Sequence, residues 1–309
     1  MKIARIALAA SCVLTLAACT PLTGVTPTAV TSPAAAVART QLRLPSPAAG
    51  VFETNRAASF RLVREFGATA ARPAIVLSYS GWWVPFNRRL ANDVRGYGAI
   101  PLIQLNPGGV ALATITNGRS GAYLRAYAAA VRAFGHPVIL GFGHEMNGGW
   151  YSWGAGHARP AVFIAAWRHV VQVFRAEGAA NVTWLWTINS VNAASSSLRQ
   201  WWPGAAWVNW VGIDGYYYRP ADTFRSVFGR TVAQVRRFTG DPVLLSETAV
   251  GPSPRAASQV TGLFAGIRAE HLLGLVWFDQ AQHRPPYHLD WRLADDPRAR
   301  AAFRAAAHG

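Results

Sequence analysis

Gly143-His144-Glu145-Met146-Asn147-Gly148-Gly149-Trp150-Tyr151-Ser152-Trp153 follows directly on the short apolar run Pro137-Val138-Ile139-Leu140. A run of that length reads as a buried strand, and a carboxylate, an imidazole, an amide and several aromatic rings come straight after it. Hydrogen-bonding and stacking groups gathered at the C-terminal end of a strand suit a sugar site at the mouth of a parallel barrel. Farther along, Pro242-Val243-Leu244-Leu245-Ser246-Glu247-Thr248 repeats the arrangement, an apolar strand ending in a glutamate.

Retaining glycoside hydrolysis needs one carboxylic acid to protonate the leaving oxygen and one carboxylate to attack the anomeric carbon, the two groups about 5–5.5 Å apart. Glu145 and Glu247 are the natural pair. Asp and Glu together number only 14 in 309 residues, so two of them at strand ends carry weight. The competing reading is a first-turn glutamate favoured by a helix dipole. It fits Glu247 better than Glu145, which is flanked by His144, Asn147 and Trp150. To donate a proton near neutral pH, Glu145 needs a raised pKa, and like-charge repulsion from an ionised Glu247 in a partly desolvated mouth would raise it.

Around these two segments, short apolar strands alternate with amphipathic helical patterns, which predicts a parallel sheet built from βα units. Strands are expected at 50–53, 74–78, 100–105, 138–142, 182–187, 208–213, 243–246 and 273–278. Helices are expected where Tyr123, Leu124, Tyr127, Val131 and Phe134 recur at helical spacing, and again after Pro160. Asp295-Asp296-Pro297 reads as the start of a last helix. Eight units in one domain predict an α/β fold of the closed (β/α)8 TIM-barrel type over residues 50–309, close to the usual size of ~250 residues.

Residues 1–18 read as an export leader: Lys2 and Arg5, an apolar run, then Leu16-Ala17-Ala18 before Cys19. That ending resembles a bacterial lipoprotein signal, which implies cleavage before Cys19 and a lipid on its sulfur. Residues 19–49 would form a Thr/Pro/Ala-rich tether. With Cys12 removed in the leader, no internal disulfide is available. The formal charge of +16 rests on arginine beyond Lys2 and predicts attraction to anionic envelope surfaces. Nucleic acid is the weaker reading, because the arginines are scattered at helical spacing. Zinc is set aside, since the second histidine of a zincin helix would fall at Gly148. No glycine-rich phosphate loop follows the first strand, which argues against a dinucleotide.

The chain resembles glycoside hydrolase family 26, whose best-known members are β-mannanases with catalytic glutamates on strands 4 and 7. The resemblance rests on His144-Glu145-Met146-Asn147-Gly148 with Trp150 and Trp153, on Trp207 to Tyr216, on Ser246-Glu247-Thr248, and on Trp277-Phe278-Asp279 with Asp290-Trp291-Arg292. It implies that Glu145 is the general acid/base and Glu247 the nucleophile. It further implies that His144 bonds near the reacting sugar, that Tyr216 orients Glu247, and that Trp150 and Trp277 stack on sugar faces. Many members carry Arg four residues before the acid/base; Gly141 stands there, which predicts a wider pocket.

Of 13 tryptophans, Trp167, Trp184 and Trp186 fall where packing is expected. Trp82, Trp83, Trp150, Trp153, Trp201, Trp202 and Trp277 fall at or beyond strand ends and are candidate sugar platforms. Asn147 joins the substrate-binding set. Asn106 and Asn189 read equally as sugar-bonding or turn residues, and Asp214 as a brace for Tyr216. His157, His283 and His288 read as surface residues. The expected activity is a retaining endo-β-glycosidase on mannan, glucan or xylan, monomeric and without cofactor. A polysaccharide-binding barrel with little turnover and an envelope transglycosylase are the alternatives.

Overall fold

The computed structural model describes residues 42, 44–53, 60–191, 197–281 and 289–308. The chain divides into Met1–Val37 and Ala38–Gly309, and every described residue lies in the second unit. The expectations for the leader, Cys19, the start of the tether, His283 and His288 fall outside the described residues.

Eight parallel strands close on themselves in sequence order. They are β1 Ala48–Phe52, β2 Ile75–Gly81, β3 Ile100–Asn106, β4 Val138–Phe142, β5 Val182–Asn189, β6 Trp210–Asp214, β7 Val243–Thr248 and β8 Gly274–Trp277. The helices are α1 Arg61–Thr69, α2 Arg88–Gly96, α3 Leu112–Thr116, α4 Gly121–Phe134, α5 Pro160–Ala176, α6 Arg230–Arg236, α7 Ala256–Ala269 and α8 Pro297–His308. The expected barrel is present, with helices distributed unevenly. The β3–β4 crossover holds both α3 and α4, whereas among the described residues the β5–β6 crossover holds only a 3₁₀ turn, Leu198–Trp201.

Strand alternation divides the apolar residues between two cores. Ile75, Leu77, Leu102, Ile139, Leu185, Leu244 and Val276 fill the barrel. Val76, Ile103, Leu140, Trp186, Leu245 and Trp277 point outward and pack against the helices. Local chemistry fixes the helix starts: Asn87 Oδ1 accepts the Leu90 N–H at 3.0 Å, Pro160 opens α5, and Asp296 Oδ1 accepts the N–H groups of Arg298 and Ala299 at 3.0 and 2.9 Å.

One strand breaks the alternation. Gly212 pairs with Leu244 and Asp214 with Glu247, so three steps along β7 match two along β6; β8 shows the same surplus, Leu245 pairing with Leu275 and Thr248 with Trp277. This bulge inserts one residue into β7 and lets both Ser246 and Glu247 face the barrel interior.

Candidate active site

Glu145 lies just beyond β4, on the inward sequence Ile139, Gly141, Gly143. Its φ of 54° and the 56° of Gly143 turn the chain sharply. The turn is held from both sides: Gly143 N–H donates to Leu105 O at 3.0 Å, and Glu145 N–H to Thr187 O at 2.9 Å. A left-handed conformation is costly for a glutamate and persists only where the surroundings impose it. Here it aims the carboxylate into the mouth. Glu145 Oε1 accepts from Asn189 Nδ2 at 2.6 Å, and Oε2 from the Trp150 indole N–H at 2.8 Å.

Glu247, at the bulge of β7, is held by two phenols. Tyr79 Oη donates to Oε1, and Tyr216 Oη donates to Oε2 at 2.7 Å. Tyr79 also lies beside His144, ring centroids 5.2 Å apart, which ties the nucleophile's side of the mouth to the strand 4 motif. Tyr79 was not singled out from the sequence. The available signal was alternation, since Ile75 and Leu77 point into the barrel and Tyr79 is the next inward residue of β2.

Burial raises the pKa of both glutamates. It is the leading cause for Glu145, opposed by the bonds from Asn189 and Trp150, and it pushes Glu247 up to about 8. This corrects the sequence expectation that repulsion between the two is the main cause. The phenol donors oppose the shift at Glu247, because they stabilise its charged form. Asp214, wholly buried beneath them, is held well above the usual carboxylate range by burial first and by Glu145 second. Its Oδ1 accepts from Ser246 Oγ at 2.6 Å. Asp214 was expected to brace Tyr216; its carboxyl takes hydrogen bonds from Ser246 Oγ and the Glu247 backbone N–H.

His144 and Asn147 are held by hydrogen bonds within the protein. His144 has both ring nitrogens engaged, Nδ1 with Asn106 Oδ1 at 2.9 Å and Nε2 with Tyr151 Oη at 3.0 Å. Burial lowers its pKa to about 3, so the imidazole is neutral: with Asn106 Oδ1 accepting, Nδ1 carries the proton and Nε2 accepts from Tyr151. Asn147 donates to Asn189 O and accepts from Asn189 N–H, both at 2.8 Å. Its amide thereby fixes the end of β5, from which Asn189 reaches Glu145.

The tryptophans separate by direction. Trp83 and Trp150 are 56% and 57% exposed and present open faces at the mouth. Trp82, Trp153, Trp201 and Trp277 do not. Trp277 is 1% exposed, donates to Trp291 O at 2.7 Å and has Phe303 against it, because the alternation of β8 sends it outward to the helices. Phe278, next in the chain, packs against Phe52 and Tyr216. Trp153 stacks on Tyr151 at 4.4 Å and donates to His144 O at 2.8 Å, and Trp82 packs on Tyr123 and Phe142. Trp202 is partly buried against Trp186 and Phe238. Tyr218, 47% exposed beyond β6, is an open aromatic that sequence reasoning missed.

Gly141 does not widen the pocket. A Cβ there would lie 2.0 Å from Gln104 Oε1 and 3.1 Å from Leu185 O. The space is filled by Gln104, whose Nε2 donates to Thr187 Oγ1 at 2.8 Å inside the barrel.

Residues 124–242 match the family described as glycosyl hydrolase family 26. Endoglucanase H of Acetivibrio thermocellus is 30% identical over 249 residues, 75% of this chain and 27% of that protein. Mannan endo-1,4-beta-mannosidase A and B of Caldalkalibacillus mannanilyticus is 33% identical over 84 residues, 25% of this chain and 16% of that protein. The chain therefore spans about a quarter or less of these curated relatives. Among solved structures, GH26C from Muricauda sp. MAR_2010_75 has the same fold, with a TM-score of 0.63 at 13% identity over 85% of this chain and 86% of that one.

Proposed function

From a chain that matches glycoside hydrolase family 26 across the segment building Glu145 and its partners, we propose a retaining endo-β-glycosidase acting on a β-linked polysaccharide, β-mannan first, with β-glucan and β-xylan as alternatives. The observation that carries this reading is the unequal clasp of two carboxyl groups at one barrel mouth. Glu247 is held by two hydroxyl donors, Tyr79 and Tyr216, while Glu145 is held by two N–H donors, Asn189 and Trp150.

In the first step a Glu247 oxygen attacks the anomeric carbon and forms an ester bond as the glycosidic C–O bond breaks. Glu145 delivers its proton to the departing oxygen, which leaves as an alcohol. In the second step Glu145, now ionised, takes a proton from water as the water oxygen displaces Glu247. The pair begins each cycle with one proton between them. Burial favours a proton on either glutamate and the donors around each favour its loss; the first step needs it on Glu145 and absent from Glu247. Trp83, Trp150 and Tyr218 supply faces on which sugar rings stack.

Proton NMR of the first product released from β-1,4-linked manno-, gluco- and xylo-oligosaccharides tests the proposal. Retained anomeric configuration with internal cleavage supports it; inversion, or no cleavage of any of the three, overturns it.

The leader and Cys19 support export and lipid attachment at the bacterial envelope. Acyl chains contribute about 0.8 kcal/mol per buried CH₂ to membrane affinity. Cys19→Ser should therefore shift the protein out of the detergent phase, and unchanged partitioning would overturn the lipid assignment.

A further inference from the structure

The acidic residues are few and mostly serve the mouth and its loops, which leaves arginines on the opposite rim without that company. In a parallel barrel every helix returns against the strands, so helix C-terminal turns and αβ loops ring the N-terminal face. Eight exposed arginines fall there: Arg72 before β2, Arg95 at the end of α2, Arg132 at the end of α4, Arg175 at the end of α5, Arg236 and Arg237 at the end of α6, Arg268 at the end of α7, and Arg304 on α8. They represent successive crossovers around almost the whole ring. The same turns and loops carry Asp93, Glu177, Asp241 and Glu270, and Asp241 is buried.

Several of these guanidinium groups turn to backbone carbonyls of a neighbouring segment, which leaves their charge undiminished. Arg132 donates to Glu177 O at 2.8 Å, Arg175 to Ala206 O at 2.6 Å and Arg304 to Thr69 O at 2.7 Å. The other described clusters differ: Arg219 pairs with Asp222, and Arg292 with Asp290 and Asp295, in loops on the mouth side. Stabilising helix C-termini accounts for cations in the last turns. Arg72, which donates to the Tyr97 carbonyl that ends α2 at 2.6 Å, and Arg237, at the end of α6, act at helix C-termini too, and their charge still faces solvent.

We infer that the N-terminal face of the barrel docks on an anionic phospholipid surface, with the mouth that holds Glu145 and Glu247 opening away from it. Two observations favour a lipid surface. The charges are spread as a ring over a broad face, matching a plane of headgroups. They are arginines, whose guanidinium forks pair well with phosphate. The inference rests neither on the lipid at Cys19 nor on the hydrolytic assignment.

The test uses the full chain with Cys19→Ser, sedimented with vesicles of phosphatidylcholine alone or with a third phosphatidylglycerol. Any contribution from the apolar leader is common to both. Two variants remove equal charge: Arg95→Gln, Arg175→Gln, Arg237→Gln and Arg268→Gln on the N-terminal face, and Arg89→Gln, Arg119→Gln, Arg159→Gln and Arg225→Gln on the mouth side. Circular dichroism verifies that each folds, and a variant that does not is replaced by its pairwise subsets. The expected result is preference for the anionic vesicles, lost in high salt. The first variant should weaken it on the order of fivefold per arginine, and the second much less. Equal loss in both variants, or no preference for anionic vesicles, overturns the inference. So does binding to a soluble polyanion but not to vesicles.

Discussion

Trp150 donates its indole N–H to Glu145 Oε2 at 2.8 Å while its ring remains 57% exposed. One side chain thus touches both the acid/base and the space where a sugar ring would stack. Trp150→Phe keeps an aromatic face and removes only the donor, which favours ionised Glu145. The basic limb of the kcat/KM profile should move to higher pH, with a loss of about tenfold at neutral pH, the worth of one hydrogen bond to a charged group. Trp150→Ala should in addition raise KM. An unmoved basic limb in Trp150→Phe would remove this coupling.

The two glutamates should separate cleanly on activated aryl glycosides. Glu247→Ala abolishes the attacking group and with it the first step, whereas Glu145→Ala loses only proton transfer, which a good leaving group does not need. Steady-state rates with added azide should recover in the Glu145 variant preferentially. Equal residual activity in both would reverse or remove the assigned roles.

Tyr79 and Tyr216 both donate to Glu247, whose pKa burial pushes up to about 8. Losing either hydroxyl weakens the charged form further, so Tyr216→Phe and Tyr79→Phe should each move the acid limb of kcat/KM upward by about one unit. A downward move, or none in either variant, would contradict the clasp.

The same group gives stability a pH dependence. Its folded-state value lies above its ordinary 4.5, so its stabilising contribution is full below about 4.5 and is lost as pH rises through about 8. Glu247→Gln has no such loss. Its melting temperature relative to wild type should climb between about pH 5 and pH 9. A constant difference across that window would mean that Glu247 titrates like an exposed carboxyl.

Gly141→Ala places a methyl where Gln104 Oε1 already sits, 2.0 Å away. Overpacking of this kind costs about 1–3 kcal/mol. Gln104→Ala combined with Gly141→Ala should recover most of that loss in a chemical denaturation cycle, because the clash is removed. Gly141→Arg should destabilise more strongly and should not improve activity on mannan. A fully stable Gly141→Ala protein would show that Gln104 does not occupy the space.

The sequence by itself determined the alternation of strand and helix, the closed barrel and the two glutamates at strand ends. Those are local signals: apolar runs of strand length, turn residues after them, and charged groups that a core position does not tolerate. It also held the direction of Trp277, since the alternation from Leu275 carries it outward; reading it as a platform followed its place at a strand end and neglected that period.

Tertiary structure alone decided the rest. Strict alternation from Leu244 would send Glu247 to the helix side, and only the bulge, set by pairing with β6 and β8 at once, turns it inward. Likewise, which side chain fills the space beside Gly141, and which phenols meet Glu247, depend on residues brought together by closure of the barrel. Gln104 and Tyr79 lie on strands far from their partners in the chain. Burial, which sets the proton affinity of both glutamates, is a property of that closed mouth and of no single segment.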